Sequence, residues 1–212
     1  MIRFPRRAFF RIAMPALMWA TAGAAQEATA TLRSADLWFD AKASLGPFRG
    51  ITHAAHGQMH SEMRGGTEVL PTARGFVEMA STSLSTDNSI RDHDMRKTLN
   101  VDKFPTIRFD LDSVVVSAES TDSARVELLG RLTLHGVVRH IRFPAVVHRG
   151  PAQARVTGGF DLILPDYGIT DLSRMLGALK MDKTIRVGLD VTFSMVREGL
   201  SLRRTTGHKA AG

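Results

Sequence analysis

Apolar and polar residues alternate with a period of two through most of this chain, which is typical of β-strands with one buried face. The clearest runs are residues 37–42, 106–116, 126–134, 141–148 and 185–194. Glycine and proline punctuate the connections, as at Gly150-Pro151. His135-Gly136 lies between two runs and predicts a hairpin turn, since Gly136 can adopt positive φ. Together these patterns predict an all-β protein, either an antiparallel sandwich or a barrel.

Two segments depart from this period. Residues 88–99 carry charge at most positions without alternation, which predicts a short helix starting near Asn88. The second segment has apolar residues at the i, i+3, i+4 and i+7 spacing of an amphipathic helix: Leu172, Met175, Leu176 and Leu179. Asp171 is available as its N-cap. Such a helix either lies across one end of a barrel or plugs its core.

Residues 1–25 are predicted to be a signal peptide. Several arginines precede a short apolar run at residues 12–20, and the small residues Ala22-Gly23-Ala24-Ala25 match a signal peptidase site. The apolar run is too short to span a bilayer. Adjacent Arg6-Arg7 also loosely matches a twin-arginine leader, so export by either the Sec or the twin-arginine route stays open. No later segment has the length and apolarity of a membrane anchor.

The net charge of +7 arises at the two ends of the chain. Residues 26–196, the predicted folded domain, contain equal numbers of basic and acidic side chains. A nucleic-acid partner is therefore not expected. Residues 197–212 are interpreted as a basic flexible tail, for which transient contact with anionic lipid headgroups stays open. The absence of cysteine excludes disulfides, thiol catalysis and thiolate metal sites.

Three histidines have the spacing H-x2-H-x3-H at His53, His56 and His60. On a helix this spacing would suit zinc or copper. Gly57 and Gly65-Gly66 argue against a helix, and on a strand His56 and His60 would lie roughly 13 Å apart. Surface histidines without a metal are therefore the favoured interpretation.

The charged segment around residues 91–96 offers a second candidate for chemistry. An enzyme acting on a lipid or a small substrate through His93, Asp94 or His135 is one alternative, although no nucleophile motif accompanies them. The favoured interpretation is a solvated helix in which Asp92 and Arg96 pair at i, i+4. In a third interpretation, Arg96 holds the polar head of a ligand at the mouth of a pocket.

The chain contains 11 phenylalanines and 10 methionines. Methionine adapts its shape, and together with aromatic walls it suits a long, irregular hydrocarbon ligand. The same inventory also fits an ordinary packed core, including a solid structural or stress-response barrel. Pattern alone does not distinguish a hollow barrel from a filled one.

Five sequence segments together resemble the YceI-like family of exported polyisoprenoid-binding proteins. They are ADLWFDAK with GPFRG at residues 35–50, RDHDMR at 91–96, FPTIRF at 104–109, LTLHGV at 132–137 and DYGI at 166–169. The resemblance covers residues from about Thr31 to Met195. It implies a single extended, lipocalin-like antiparallel barrel of about eight strands with one or two short helices, around an apolar tunnel.

The resemblance also implies a periplasmic, non-enzymatic protein that binds a long-chain isoprenoid or fatty amphiphile and needs no other cofactor. It supplies no catalytic residue, and a homodimer stays open. Strand parity selects seven candidates for the tunnel wall: Phe39, Phe109, Leu132, Leu134, Phe143, Val187 and Leu189. The candidates for the tunnel mouth are Arg96, Tyr167 and Met175.

Overall fold

The computed structural model describes residues 26–44, 46–170 and 181–196. In this part, nine antiparallel strands and one α-helix form a closed barrel. The elements are β1 Gln26–Ala43, β2 Gly46–Thr52, β3 Ala55–Arg64, β4 Thr67–Ala80, α1 Ser89–Thr98, β5 Thr106–Glu119, β6 Ser123–Leu134, β7 Val137–Arg149, β8 Gln153–Ile163 and β9 Thr184–Val196. The predicted all-β barrel is confirmed. The predictions of a signal peptide, of a helix around Met175 and of a basic tail concern residues outside the described ranges.

The barrel has eight strand positions because β2 and β3 lie end to end along β1. The first half of β1 pairs with β3 and the second half pairs with β2. On its other side β1 pairs with β9 over most of its length, which closes the sheet. Closure leaves few unpaired edges, and the free side of β2 is joined to the loop before α1 by hydrogen bonds between Ile51 and Ser85.

β-Bulges keep apolar side chains on the inside where the sequence breaks its alternation. In β1 the register shifts between Leu32 and Ser34. An extra residue at a bulge changes the face to which the following side chains point. Ala30 and Leu32 before the shift, and Leu37 and Phe39 after it, therefore all pack inside the barrel.

The predicted turn at His135-Gly136 is confirmed. Both residues have positive φ, 52° and 74°, and they connect β6 directly to β7 in a two-residue hairpin. A Cβ on Gly136 would lie 2.3 Å from the ring of Phe104. His135 is held in this less common conformation by contact of its ring with Phe104 and by a 3.1 Å hydrogen bond between Nδ1 and the Tyr167 carbonyl.

The helix predicted near Asn88 is also confirmed, since Asn88 caps α1 by accepting a 3.0 Å hydrogen bond from the Arg91 amide. The expected solvated Asp92–Arg96 pair is wrong. Asp92 is buried, and its carboxylate accepts hydrogen bonds from the Thr86 amide (2.8 Å), the Thr86 hydroxyl (2.6 Å) and the Ser85 hydroxyl (2.8 Å). No ion pair joins it to Arg96 within the described residues. The preceding loop, rather than solvent, surrounds this carboxylate because α1 packs against the barrel.

Candidate functional site

The interior of the barrel contains an elongated apolar cavity of about 270 Å³, called the lumen below. On β9 its lining extends from Ile185 to Met195, which corresponds to about 33 Å of strand. With the strand tilt usual for barrels, this is about 25 Å along the barrel axis. The end covered by α1 is called the helix end, and the opposite end is called the β3–β4 end.

All seven side chains predicted for the tunnel wall line the lumen: Phe39, Phe109, Leu132, Leu134, Phe143, Val187 and Leu189. Phe109, Val187 and Leu189 point inward but are only half-buried. Inward side chains retain exposed surface when the space in front of them is unfilled. The barrel is therefore hollow, which the sequence left open, while the role of these residues in ligand binding stays a prediction.

Aromatic rings from three strands form the middle of the lumen wall. The ring centroid of Phe143 lies 5.6 Å from that of Phe109 and 4.9 Å from that of Phe160. Gly130 makes room for this group, since a Cβ at that position would lie 2.6 Å from the Phe109 ring and 2.2 Å from the Asp110 carbonyl oxygen. Such rings present a broad apolar surface to a hydrocarbon chain.

The helix end is lined by apolar side chains, and Met95 of α1 contributes to this lining. Met95 is 1% exposed, whereas its neighbour Arg96 is exposed to solvent and lies outside the lumen lining. Successive helical residues point about 100° apart, so the two cannot share a face. On the same helix, the guanidinium of Arg91 lies 4.5 Å from the ring centroid of Phe48, which packs against the core at this end.

Tyr167 lies at a different position from the predicted tunnel mouth. It is 3% exposed and lines a separate cleft of about 270 Å³ on the side of the barrel, not the lumen. The cleft exists because β7 and β8 pair only from Ala145 to Arg149 and separate towards the helix end. Burial raises the pKa of Tyr167 to about 12, so its phenol is neutral at physiological pH. Met175, the third mouth candidate, lies outside the described residues.

Two lining residues that parity did not select, Ser61 and Glu68, bring polar groups to the β3–β4 end. The buried Ser61 hydroxyl donates a 2.7 Å hydrogen bond to Glu68 Oε1. Among the described residues, no ion pair involves Glu68. The other lining carboxylate, Glu78, is paired with Arg108 at 3.0 Å and with His56 at 3.4 Å.

The three residues considered for an enzymatic function lie outside the lumen. His93 is exposed and Asp94 is half-exposed on α1, and His135 is engaged at the β6–β7 turn. None of them is among the residues lining the lumen.

His53, His56 and His60 each contact a different strand. His53 Nδ1 lies 2.5 Å from Asp36 Oδ1, His56 contacts Glu78, and His60 Nδ1 lies 3.1 Å from the Thr29 hydroxyl. His56 and His60 share the outer face of β3, as the strand interpretation expects. Within the described residues, no three His, Asp or Glu side chains are grouped in a way that could hold a metal ion.

The outer wall carries most of the charged side chains of the barrel, mostly as arginine–carboxylate pairs between neighbouring strands. Arg49 donates to both oxygens of Asp40, at 2.7 and 2.8 Å, and lowers the pKa of that carboxyl. Arg155 likewise lowers the pKa of Asp190. Exposed pairs of this kind are screened by solvent and contribute little to stability. Their position leaves an apolar interior and a polar exterior.

None of the helices in the described residues has the length and apolarity needed to cross a bilayer.

Several solved structures share this fold. A polyisoprenoid-binding domain from Saccharophagus degradans, implicated in plant cell wall breakdown, has a TM-score of 0.64 and 15% identity over 81% of this chain and 100% of that chain. BcnA of Burkholderia cenocepacia has a TM-score of 0.62 and 9% identity, covering 74% and 95% of the two chains. The YceI protein of Campylobacter jejuni has a TM-score of 0.54 and 16% identity, covering 70% and 85%.

Comparison with curated protein sequences finds no significant match. The model of the YceI-like domain matches residues 24–193, which is most of the chain and all of the barrel except the last three residues of β9. With the closed barrel and its apolar lumen, this match shows that the chain belongs to the YceI-like family.

Proposed function

We propose that the protein is an exported, non-enzymatic binding protein that holds a long-chain amphiphile, a polyisoprenoid or a similar lipid, in the lumen. The observation that carries the proposal is the predominantly apolar lining that extends from the helix end to the β3–β4 end. Membership of the family supports it, as does the description of the Saccharophagus degradans domain as polyisoprenoid-binding. The leader predicted at residues 1–25 supports a periplasmic location.

The energetics of such binding are dominated by the hydrocarbon tail. Each methylene transferred from water contributes about 0.8 kcal/mol, so ten buried methylenes supply a gross ~8 kcal/mol before the entropic costs of association. A single neutral hydrogen bond contributes only about 1 kcal/mol net. Tail length therefore sets affinity, and the head group sets orientation.

The length of the lumen favours a long tail. The hydrocarbon core of a bilayer is about 30 Å thick, so the tails of one leaflet extend about 15 Å. The lumen extends about 25 Å along the barrel axis. A ligand that fills it is longer than the tails of one leaflet, as many isoprenoid chains are.

Chain-length dependence tests the proposal. Farnesol, geranylgeraniol and solanesol would be titrated into the full-length mature protein, with displacement of a fluorescent apolar probe as the readout. Affinity should rise with each increase in length that the lumen can still accommodate. Equal affinity for all three prenols, or no binding of any of them, would overturn the proposal.

A pair of matched substitutions separates the lumen from the outer wall. Leu189→Trp adds bulk halfway along the lumen and should weaken binding of the longest prenol at least about tenfold. The larger side chain occupies the space in which about two or more methylenes of the ligand would otherwise be buried. Val115→Trp makes a similar change on the outside, where Val115 is 51% exposed, and should leave binding unchanged. Equal effects of both variants would contradict binding in the lumen.

Native mass spectrometry of protein purified from its own periplasm tests two points at once: whether a ligand is bound, and whether the protein only binds that ligand or converts it. A co-purified apolar molecule, unchanged in mass after incubation with the protein, is the expected result. Time-dependent conversion of that molecule would instead indicate an enzyme. The same spectra report whether the protein is a monomer or a homodimer.

A further inference from the structure

The lumen has polar groups at both ends, but among the described residues the lining carboxylate without an ionic partner lies at the β3–β4 end, and its chemistry selects a class of ligand head. At the helix end the polar lining residues are Thr98 and Glu78, whose carboxylate is paired with Arg108 and His56, and the lumen there is bounded by buried side chains such as Met95 and Met181. At the β3–β4 end, Ser61 and Glu68 face the lumen. A ligand with a hydrocarbon tail and a polar head is therefore oriented with its head at the β3–β4 end.

The local backbone explains why a carboxylate faces this apolar space. The pairing of β3 with β4 shifts between His60 and Glu62, next to Pro71. Thr72 stabilises the irregularity by accepting a 2.8 Å hydrogen bond from the Glu62 amide and donating a 2.7 Å hydrogen bond to the Val69 carbonyl. The shift allows Glu68 and Leu70 before it, and Ala73 after it, all to line the lumen.

The hydrogen bonding of Glu68 leaves acceptor capacity for a ligand. Ser61 donates to Oε1, and within the described residues no donor contacts Oε2. The nearby Arg64 is bound to Glu62 at 3.0 Å and does not pair with Glu68. A carboxylate in this setting accepts hydrogen bonds or pairs with a cation, and it repels anions.

We infer that Ser61 and Glu68 form the head-group site of the lumen, and that this site selects amphiphiles whose head donates hydrogen bonds or carries positive charge, such as a long-chain alcohol or ammonium, over those with a carboxylate or phosphate head. The inference rests on the proposed binding of a hydrocarbon tail in the lumen. It adds the chemical class of the head and the direction in which the ligand lies.

The test compares three probes with the same saturated tail: an alkylammonium, the corresponding alcohol and the corresponding carboxylate. Each would be titrated below its critical micelle concentration into the full-length mature protein. The wild-type protein should bind the ammonium at least about tenfold more tightly than the carboxylate, since a charge-assisted hydrogen bond is replaced by repulsion. The alcohol should bind with intermediate affinity.

Glu68→Gln should reduce the ammonium preference to less than about threefold, because the amide keeps the size and the bond from Ser61 but loses the charge. Glu62→Gln is the matched control, as it removes the same charge from the same end but from a side chain paired with Arg64. The control should keep the preference. Thermal melting would verify that both variants are folded.

The outcomes distinguish this inference from the function on which it rests. If no probe binds, the proposed function is overturned. If all three bind with equal affinity, or the carboxylate binds best, the tail site stands and the head-group inference is wrong. If Glu62→Gln lowers the preference as much as Glu68→Gln does, the selectivity arises from general surface charge, which also overturns the inference.

Discussion

Replacing Asp92 with Ala should destabilise the barrel strongly, although Asp92 belongs to a charged segment of α1. The Asp92 carboxylate is 8% exposed and accepts three hydrogen bonds, two from Thr86 and one from Ser85. Hydrogen bonds to charged groups contribute about 1.5–3 kcal/mol each, but the cost of burying the carboxylate offsets part of this. We expect a loss of about 3 kcal/mol, which also leaves the buried amide of Thr86 without its partner.

Chemical denaturation followed by circular dichroism measures this loss directly. A 3 kcal/mol loss also corresponds to a decrease in melting temperature of about 6–12 °C for a domain of this size. Asp94→Ala is the matched control, because Asp94 is half-exposed on the same helix. If the two variants unfold within about 0.5 kcal/mol of each other, the reasoning about the Asp92 hydrogen bonds is refuted.

The pH dependence of stability provides a second readout of the same substitution. Burial alone would raise the pKa of Asp92, but the hydrogen bonds from Thr86 and Ser85 and the charge of Arg96 outweigh it and hold the pKa below the ordinary 3.8. A lowered folded-state pKa gives stability that is fully present above the unfolded value and lost as the pH falls through the folded value. The difference between wild type and Asp92→Ala should therefore shrink below about pH 4. A constant difference down to pH 2 would contradict this.

Two further predictions concern the β6–β7 turn and the three histidines around β3. Gly136→Ala should destabilise the protein by about 1 kcal/mol or more, because φ is +74° and the new Cβ would meet Phe104. Gly150→Ala should be nearly neutral, because its Cβ would make only an ordinary 3.5 Å contact with the Gln153 carbonyl oxygen; urea denaturation of both variants distinguishes them. Calorimetric titration with zinc or copper should show no site tighter than about micromolar, since each histidine has a separate partner, and a stoichiometric tight site would show this to be wrong.

The wall of the barrel was predictable from the sequence because its period is simple. From Val126 to Leu134 in β6 and from Ile185 to Phe193 in β9, one parity holds only apolar residues and glycine, so choosing the inward face of Leu132 or Val187 required no knowledge of the fold. The turn at His135-Gly136 was predictable for a similar reason, since it depends on two adjacent residues. Strand parity and turn residues are therefore sufficient to predict features that depend only on neighbouring residues in the chain.

Tertiary contacts decided the positions that sequence reasoning placed incorrectly. Asp92 belongs to a charged segment that looks solvated, but docking of α1 buries it against Thr86 and Ser85. The same docking places Met95, rather than Arg96, in the lumen wall. Neither outcome follows from helical periodicity alone, because the segment lacks a clear apolar face.

Ser61 and Glu68 escaped sequence reasoning for a different reason. The alternation of β4 is broken beside Pro71, so parity counted from the second half of the strand assigns Glu68 to the wrong face. Proline lacks an amide hydrogen and is found in strands mainly at edges and bulges. A proline within an alternating run therefore signals that parity must be counted separately on its two sides, and that rule would have placed Glu68 inside.

The volume of the inward-facing side chains indicates whether the barrel is hollow or filled, which periodicity alone does not. The interior of an eight-stranded barrel is just wide enough for side chains to fill it or for one small ligand to occupy it, so its filling depends on their size. Towards the β3–β4 end, several inward positions hold alanine: Ala28, Ala30, Ala73 and Ala154. Leu or Phe at these positions would occupy space that alanine leaves empty. The hollow interior thus follows from small residues at inward-facing positions of several strands.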